Sequence, residues 1–202
     1  MRNNYDFTKG TQRDIWFIAD THFYHTNILK YENRPFENTH RMNEAMIENW
    51  NRVVKPGDIV YHLGDFAMCG KNWEKILLKR LNGGVKILLR GNHDGSATRM
   101  KDIGFTEVYD RLELTIAGQR VLLCHYPYLV TENLEHIKNR GEAYVNKFIA
   151  SRPKNEGLWL LHGHNHSTWK IHEKMINVSV ENWDYTPVHI SEVERIINGQ
   201  GN

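Results

Sequence analysis

One pattern recurs along this chain and constrains its fold more than any other feature: a short apolar run is followed at once by a polar turn containing Asp, Asn or His. The runs are rich in β-branched and aromatic residues, which is typical of buried strands. Five runs show the pattern: Ile15–Ala19, Ile59–Tyr61, Val85–Leu89, Val121–Cys124 and Leu158–Leu161. In α/β proteins, ligands collect at the carboxyl ends of strands. The pattern therefore predicts a strand framework with a polar site at one edge.

Helical periodicity separates the first three runs. Apolar residues at i, i+3 and i+4 spacing between Met42 and Val53 predict an amphipathic helix, which Pro56-Gly57 ends. A second helix is predicted from Trp73 to Leu81. Because strands and helices alternate here, we expect the strands of this half to be parallel.

The second half of the chain has a different pattern. Leu112–Ile116 alternates in polarity and turns back into the Val121 run, which predicts a β-hairpin. Three more elements are predicted: a helix over Val130–Ala150, antiparallel strands within Thr168–Val180, and a last short helix opened by a capping box at Ser191. Together the elements predict an α/β sandwich of two sheets with helices outside, in one domain over residues 1–202.

Composition excludes several classes of protein. The 202 residues carry 26 Lys+Arg against 24 Asp+Glu, a net charge of +2, which disfavours a sequence-specific nucleic-acid binder. No apolar run approaches the roughly 20 residues of a membrane span, and the first residues form no secretory signal. Cys69 and Cys124 lie far apart and form no CxxC pair, so we expect a reducing, cytoplasmic location.

The residues that follow the five runs are all of metal-ligand type. They are Asp20, His22, Asp65, Asn92, His125, His164 and His166. Taken singly, each could be a turn, cap or core residue, but their joint placement after buried runs favours a metal site. Carboxylate, amide and imidazole ligands suit Mn, Fe, Zn, Co or Ni, and we favour manganese. Seven ligands exceed the three or four of a single catalytic zinc, so we expect two ions that share one carboxylate.

Two adjacent metals predict a class of reaction. Such a pair stabilises in-line displacement at phosphorus, and a hydroxide that bridges the ions would be the nucleophile. His93 lies beside Asn92 and could protonate the leaving oxygen or donate to a phosphoryl oxygen, with Asp94 orienting it.

The order of these blocks resembles the calcineurin-like metallophosphoesterases. The matching blocks are Asp20-Thr21-His22, Gly64-Asp65, Gly91-Asn92-His93-Asp94, His125 and Gly163-His164-Asn165-His166. Flanking stretches extend the resemblance to a small single-domain branch from bacteria and phages, and only about Tyr128–Gly157 is unmatched. The resemblance implies a four-layer α/β-β/α sandwich, with two mixed sheets flanked by helices, and a dinuclear site.

The resemblance also implies a role for each ligand. Asp20, His22, Asp65 and His166 would hold one metal, and Asp65, Asn92, His125 and His164 would hold the other. His93 corresponds to the catalytic histidine of the family.

One departure from the family bears on the substrate. Larger protein phosphatases of the family have an arginine soon after the aspartate that corresponds to Asp65, whereas this chain continues Phe66-Ala67-Met68-Cys69. A phosphomonoester dianion needs more cationic neutralisation than a diester, so we expect a phosphodiester to be preferred. Asn27, Arg34 and Tyr126 are candidate substrate contacts, with surface or structural roles as the alternative. The substrate class includes a nucleotide or a nucleic-acid end.

Two other interpretations remain open. One is a catalytically silent interaction scaffold on the same fold, as in the retromer scaffold subunit, although such a chain should have lost ligands. The other is a metallo-β-lactamase-like hydrolase, since His162, His164 and His166 alternate, but the Asp-His that should follow is absent. The sequence leaves the oligomeric state open, a dimer included.

Overall fold

Two mixed sheets of five strands each form the framework of the protein. The structure is a computed structural model and describes residues 13–130 and 142–199. The strands are β1 Ile15–Ile18, β2 Ile59–His62, β3 Val85–Leu89, β4 Glu107–Tyr109, β5 Arg111–Ile116, β6 Gln119–Cys124, β7 Trp159–His162, β8 Ile171–His172, β9 Met175–Asn177 and β10 Val188–His189. Within the described ranges the helices are α1 Ile28–Tyr31, α2 Thr39–Val53, α3 Lys71–Arg80, α4 Ala97–Ile103, α5 Glu142–Ser151 and α6 Ile190–Gly199, with a 3₁₀ helix at Val180–Trp183.

The directions of the strands determine where their carboxyl ends, and the polar residues that follow them, lie. The first sheet has the order β10-β1-β2-β3-β4, in which β1 to β4 are parallel and β10 is antiparallel to β1. The second sheet has the order β5-β6-β7-β9-β8, in which β6, β7 and β9 are parallel. The carboxyl ends of the two sheets meet where Ala19 pairs with Ser179 and Gly163 donates to the His125 carbonyl at 3.0 Å. The predicted α/β sandwich with two mixed sheets is confirmed.

Buried apolar side chains pack against both faces of the first sheet and form the core. Its inner face packs on the second sheet through residues such as Phe17, Tyr61 and Leu161, all of which are fully or almost fully buried. Helices α2, α3 and α4 cover its outer face, and Trp50 on α2 is the largest side chain there. The Asn38 side chain caps α2 by accepting from the Arg41 N–H at 2.9 Å, which fixes where that helix begins.

Most predicted elements are present within one or two residues, including the hairpin of β5 and β6. The strands predicted within Thr168–Val180 are only half right: β8 and β9 are antiparallel to each other, but β9 is parallel to β7, a direction that alternation in polarity cannot indicate. Helix α6 begins at Ile190, before the predicted cap, and Ser191 Oγ lies 2.7 Å from His189 Nδ1. Of the helix predicted over Val130–Ala150, α5 is present, and residues 131–141 lie outside the described residues.

No helix in the described part of the chain combines the length and the apolar character needed to cross a membrane.

Candidate metal centre

All seven predicted ligand residues come together at the edge where the two sheets meet. They form two groups on either side of Asp65, which we call group A and group B. Group A is Asp20, His22 and His166. Group B is Asn92, His125 and His164.

Group A is a buried cluster of one carboxylate and two imidazoles that could hold a metal ion. His22 Nε2 and His166 Nε2 each lie 3.9 Å from Asp20 Oδ1. The two imidazole rings stack with their centroids 5.2 Å apart. This spacing directs two nitrogens and one oxygen towards a common point.

Group B gathers three ligand atoms more tightly. Asn92 Oδ1 lies 3.2 Å from His125 Nε2 and 3.1 Å from His164 Nδ1, and these two nitrogens are 3.2 Å apart. His125 Nδ1 donates to the Leu63 carbonyl at 2.8 Å, so in the neutral ring Nε2 carries the lone pair. The three atoms are close enough together to coordinate one cation.

Asp65 contacts both groups through the same oxygen. Its Oδ2 lies 3.5 Å from His22 Nε2 and 3.6 Å from His125 Nε2. Its Oδ1 instead accepts the His93 backbone N–H at 2.9 Å. Burial raises the pKa of this carboxyl to about 6; the neighbouring His125 acts in the opposite direction, and the charge of Asp20 adds to the rise.

Unsatisfied polar atoms show that a cation fits this cluster. Asp20 Oδ1 and both ring nitrogens of His22 are buried and have no hydrogen-bond partner within the described part of the chain. Asp20 Oδ2, by contrast, lies 2.7 Å from Ser179 Oγ and accepts the His164 N–H at 2.8 Å. Because buried polar atoms are normally paired, the free atoms are suited to coordinate an ion.

The ligand residues have an unusual backbone conformation. Five of them have positive φ between 46° and 71°, in the left-handed region that costs a non-glycine residue about 1 kcal/mol or more. They are Asp20, His22, Asp65, His164 and His166. Such residues cluster at functional sites, where side-chain direction matters more than backbone energy.

Two motif glycines are required by close approach. A Cβ on Gly91 would collide with Asp65 Oδ1, and one on Gly163 would collide with Asp20 Oδ2. These glycines therefore allow the carboxylates to lie against the neighbouring backbone.

Burial and neighbouring carboxylates set the charge state of the imidazoles. Burial lowers the pKa of His22 and of His164 well below the usual range, which leaves both rings neutral and able to donate a lone pair. Burial also lowers the pKa of His166, but the carboxylates of Asp20 and Glu181 outweigh it and raise that pKa to about 9.

Arg34, a predicted substrate contact, is buried behind group A and only 4% exposed. Its Nη2 donates to Glu181 Oε1 at 2.6 Å and to the Asp20 carbonyl at 2.6 Å. Its Nη1 donates to the Thr21 carbonyl at 2.9 Å, and its Nε donates to Glu181 at 3.0 Å. With each nitrogen engaged by the protein, Arg34 holds the loop that carries Asp20 and His22.

Asp94 contacts the backbone rather than the His93 ring. Its carboxylate accepts the N–H groups of Asp65 and Gly91 at 2.8 Å each and of Phe66 at 3.0 Å. No hydrogen bond joins it to the His93 side chain in the described structure. The predicted orientation of His93 by Asp94 is therefore corrected: backbone N–H groups occupy both carboxylate oxygens, and Asp94 fixes the turn that carries Asp65.

The remaining predicted residues lie around the groups. His93 is exposed, and its ring centroid is 5.3 Å from that of His22. The Tyr126 ring packs edge-on against His125 and His164, with centroids 5.0 and 4.8 Å apart. Tyr126 also lines a cavity of about 270 Å³ together with Arg90 and Arg111. Asn27 is exposed at the start of α1, where its side chain makes no capping bond.

Sequence reasoning missed Glu181 and Ser179. Glu181 is buried and accepts from His166 Nδ1 at 2.9 Å, whereas Ser179 contacts Asp20. Both follow the end of β9, the third parallel strand of the second sheet. The rule that polar residues collect after such ends could have found them, but the three-residue strand was too short to recognise.

Comparison with known proteins agrees with this geometry. The sequence model of the calcineurin-like phosphoesterases matches residues 13–196. An uncharacterized protein from Methanocaldococcus jannaschii is 34% identical over 93% of each chain. The Gene 66 protein of Mycobacterium phage D29 is 28% identical over 92% of this chain and 96% of its own. The solved structure of a protein of unknown function from Aquifex aeolicus superposes with a TM-score of 0.68 at 31% identity, over 91% of this chain and 99% of that one.

These matches cover the strand ends and both ligand groups, and the family is metal-dependent and hydrolyses phosphoesters. The chain belongs to the calcineurin-like phosphoesterase family.

Proposed function

We propose that this protein is a metal-dependent phosphodiesterase that binds two divalent ions, with manganese favoured. The observation that carries the proposal is the position of Asp65 Oδ2, 3.5 Å from a group A nitrogen and 3.6 Å from a group B nitrogen. In the proposal, group A holds one ion, group B holds the other, and Asp65 binds both. When bound, two such ions neutralise charge on a phosphoryl group and lower the pKa of a coordinated water.

The chain's own residues supply the rest of the chemistry. His93 is exposed beside group A, and its backbone N–H is fixed by Asp65 Oδ1, so its ring has access to the substrate while its main chain is held. In this proposal the His93 ring donates a proton to the leaving oxygen, or donates a hydrogen bond to a phosphoryl oxygen. Asp94 is a positioning residue in this scheme, because it holds the backbone of Asp65.

Two positions beside group A lack a free cation, which favours a diester. Arg34 is neutralised by Glu181, and Phe66, which follows Asp65, is fully buried in the apolar core. Neither position offers a free cation to a dianionic monoester. A diester carries one charge less and is better matched to the two ions alone.

Surfaces on both sides of His93 could receive the organic parts of the substrate. Tyr126 and its cavity adjoin group B. On the other side, Tyr31 is 70% exposed, and its ring centroid is 6.2 Å from that of His25, which is 6.2 Å from His93. With Asn27 at the start of the same helix, this surface suits a nucleotide or a nucleic-acid end, since exposed rings can stack on bases.

We also propose a cytoplasmic location and a single domain. Both cysteines, Cys69 and Cys124, are free thiols, which supports a reducing compartment. The family match over residues 13–196 supports one domain.

The experiment that tests the proposed function compares chromogenic phosphodiester and phosphomonoester substrates. The protein is stripped with a chelator and then refilled separately with Mn²⁺, Ni²⁺, Co²⁺, Zn²⁺ or Mg²⁺. We expect turnover only after refilling, highest with Mn²⁺ and on the diester.

Two results would contradict the proposal. Turnover that survives complete metal removal would exclude a metal-dependent reaction. A chain that binds no metal and hydrolyses neither substrate would instead be a scaffold built on the enzyme fold.

A further inference from the structure

The Arg34–Glu181 ion pair lies directly behind group A. We propose that it is a clamp that fixes two ligands of the same ion, His166 and Asp20, so that Arg34 and Glu181 are positioning residues for the group A ion. This inference rests on the proposed metal-binding function and goes beyond it, because it gives each ion a different means of support.

The first contact of the clamp sets the direction of the His166 ring. Glu181 Oε1 accepts from Nδ1 at 2.9 Å, which leaves Nε2 on the side of Asp20 Oδ1, 3.9 Å away. A carboxylate behind a ligand imidazole fixes its tautomer and orientation and increases its basicity. Nε2 is therefore the nitrogen available to an ion in group A.

The second contact holds the backbone of the other ligand. Arg34 donates to the carbonyls of Asp20 and Thr21 at 2.6 and 2.9 Å. Asp20 has a φ of 55°, a conformation that needs support from its surroundings. One guanidinium thus joins the Asp20 loop to the carboxylate that directs His166.

The clamp connects the two sheets across 147 positions of sequence. Arg34 follows α1, next to the first sheet, whereas Glu181 lies in the 3₁₀ helix that follows β9 of the second. The neighbouring Asn182 and Asn177 side chains donate to the His166 carbonyl at 2.6 and 2.8 Å, so the same segment also holds that ligand's backbone.

Group B has a different support. His125 Nδ1 donates to a neutral backbone carbonyl, that of Leu63, and Tyr126 packs against both histidines. Neither Arg34 nor Glu181 donates to or accepts from a group B side chain in the described structure. Removing the clamp should therefore weaken one ion and leave the other unchanged.

The test measures Mn²⁺ bound per chain by equilibrium dialysis and elemental analysis over a range of free Mn²⁺. Glu181→Gln keeps an acceptor oxygen but removes the charge, whereas Glu181→Ala removes both. We expect one of the two binding steps to weaken by about 10- to 100-fold, more for Ala than for Gln, and the other step to stay unchanged.

The matched control is Glu74→Gln. Glu74 is also a buried glutamate paired with an arginine, Arg99, through two contacts of 2.8 Å, but it lies on α3 and contacts no ligand residue. Its loss should lower thermal stability and leave both binding steps unchanged, which separates the clamp from a general effect of replacing a buried glutamate that is paired with an arginine.

A double variant tests the clamp without leaving one buried charge of the pair unpaired, which could unfold the protein. Arg34→Met combined with Glu181→Met leaves no buried charge unpaired, an exchange that proteins often tolerate. We expect it to fold and to show the same selective weakening. Two unchanged steps, or equal weakening of both, would overturn the clamp. The proposed function is tested separately, on the unmodified chain: if that chain binds no Mn²⁺, the proposed function itself is overturned.

Discussion

Group A and group B lie on either side of Asp65, but the protein holds them by different means. Behind group A there are buried charges: Glu181 accepts from His166, and Arg34 joins Glu181 to the Asp20 loop. The side chains of group B have neutral contacts, with the Leu63 carbonyl on His125 and the Tyr126 ring against His164, and only the His164 backbone N–H donates to a carboxylate, that of Asp20. The exposed member of the two groups is Asn92 of group B, whereas Asp20 and His22 of group A and His125 of group B are at most 2% exposed, and His166 and His164 are both half-buried.

Such a site can combine a rigid ligand geometry with access for the substrate. A ligand set supported by buried, paired charges has its geometry fixed before any substrate arrives. A ligand set with an open side leaves room for the substrate next to its ion. The cavity of about 270 Å³ lies on the group B side, in agreement with this division.

We expect the largest effect from replacing Asp65, the residue that both groups share. Asp65→Asn should weaken the binding of both ions and lower kcat/KM by about 10³-fold or more, because each cation contributes several kcal/mol to the transition state. Metal content and turnover, measured on the same sample, check this. Asp102→Asn, which breaks an exposed contact with Lys71, is the control. Full occupancy of both sites in the Asp65 variant would show that Asp65 is not the shared ligand.

The next effect separates chemistry from metal binding. His93→Ala should keep both ions and lower kcat by about 10²- to 10³-fold, because it removes a proton donor without removing a ligand. The loss should grow as the leaving group becomes a poorer one, which a series of substituted aryl diesters measures. The exposed His40, replaced by Ala, is the control. An equal loss across the series would argue against proton transfer by His93.

A smaller effect concerns the buried histidines that end the central strands, His62 in the first sheet and His162 in the second. Burial lowers the pKa of each to about 3. Thr21 Oγ1 donates to the Phe66 carbonyl and therefore accepts from His62 Nε2 at 2.9 Å, a bond that suits the neutral ring.

The direction of the pH effect follows from these values. The unfolded chain binds a proton near pH 6.5 but the folded one only near pH 3, so stability falls as the pH drops below 6.5. Each histidine should cost about 2 kcal/mol of unfolding free energy between pH 7 and pH 5. Denaturant unfolding of the metal-free protein measures this slope. His62→Gln and His162→Gln should each flatten it, and an unchanged slope in both variants would contradict the prediction.

The smallest effect tests the open side of group B. Tyr126→Ala should raise KM about three- to tenfold and leave kcat nearly unchanged when both sites are saturated with metal, since one ring contact contributes about 1 kcal/mol. Steady-state kinetics on a diester with bulky substituents measures the change. Tyr31→Ala probes the opposite surface in the same assay. A fall in kcat without a change in KM would place Tyr126 in the chemistry rather than in binding.

Local patterns in the sequence predicted two sheets and placed each candidate ligand residue after a strand, whereas the mixed strand directions were implied by the resemblance to the family. Apolar runs indicate strands, and the residue after a parallel strand must lie at the edge where ligands collect. Asp20, Asp65 and His125 could therefore be placed without knowledge of any contact. The pairing direction of β9 could not, because polarity alternates in the same way in parallel and antiparallel strands.

Long-range contacts between charged side chains could not be predicted from the sequence. Nothing local indicates that Glu181 accepts from Arg34, a residue 147 positions away. Arg34 was a candidate substrate contact with a structural role as the alternative, and its buried hydrogen bonds support the structural role. Asp94 is a similar case: its sequence neighbour His93 suggested a partner, but the folded turn presents backbone N–H groups instead.

The central claim is that Asp65 lies between two ions, one in group A and one in group B. The most direct measurement is a crystal structure of the protein soaked in Mn²⁺, with an anomalous difference map. We expect two peaks roughly 3.5–4 Å apart, with Asp65 Oδ2 between them. A single peak at saturating Mn²⁺, or two peaks that do not share Asp65, would contradict this claim.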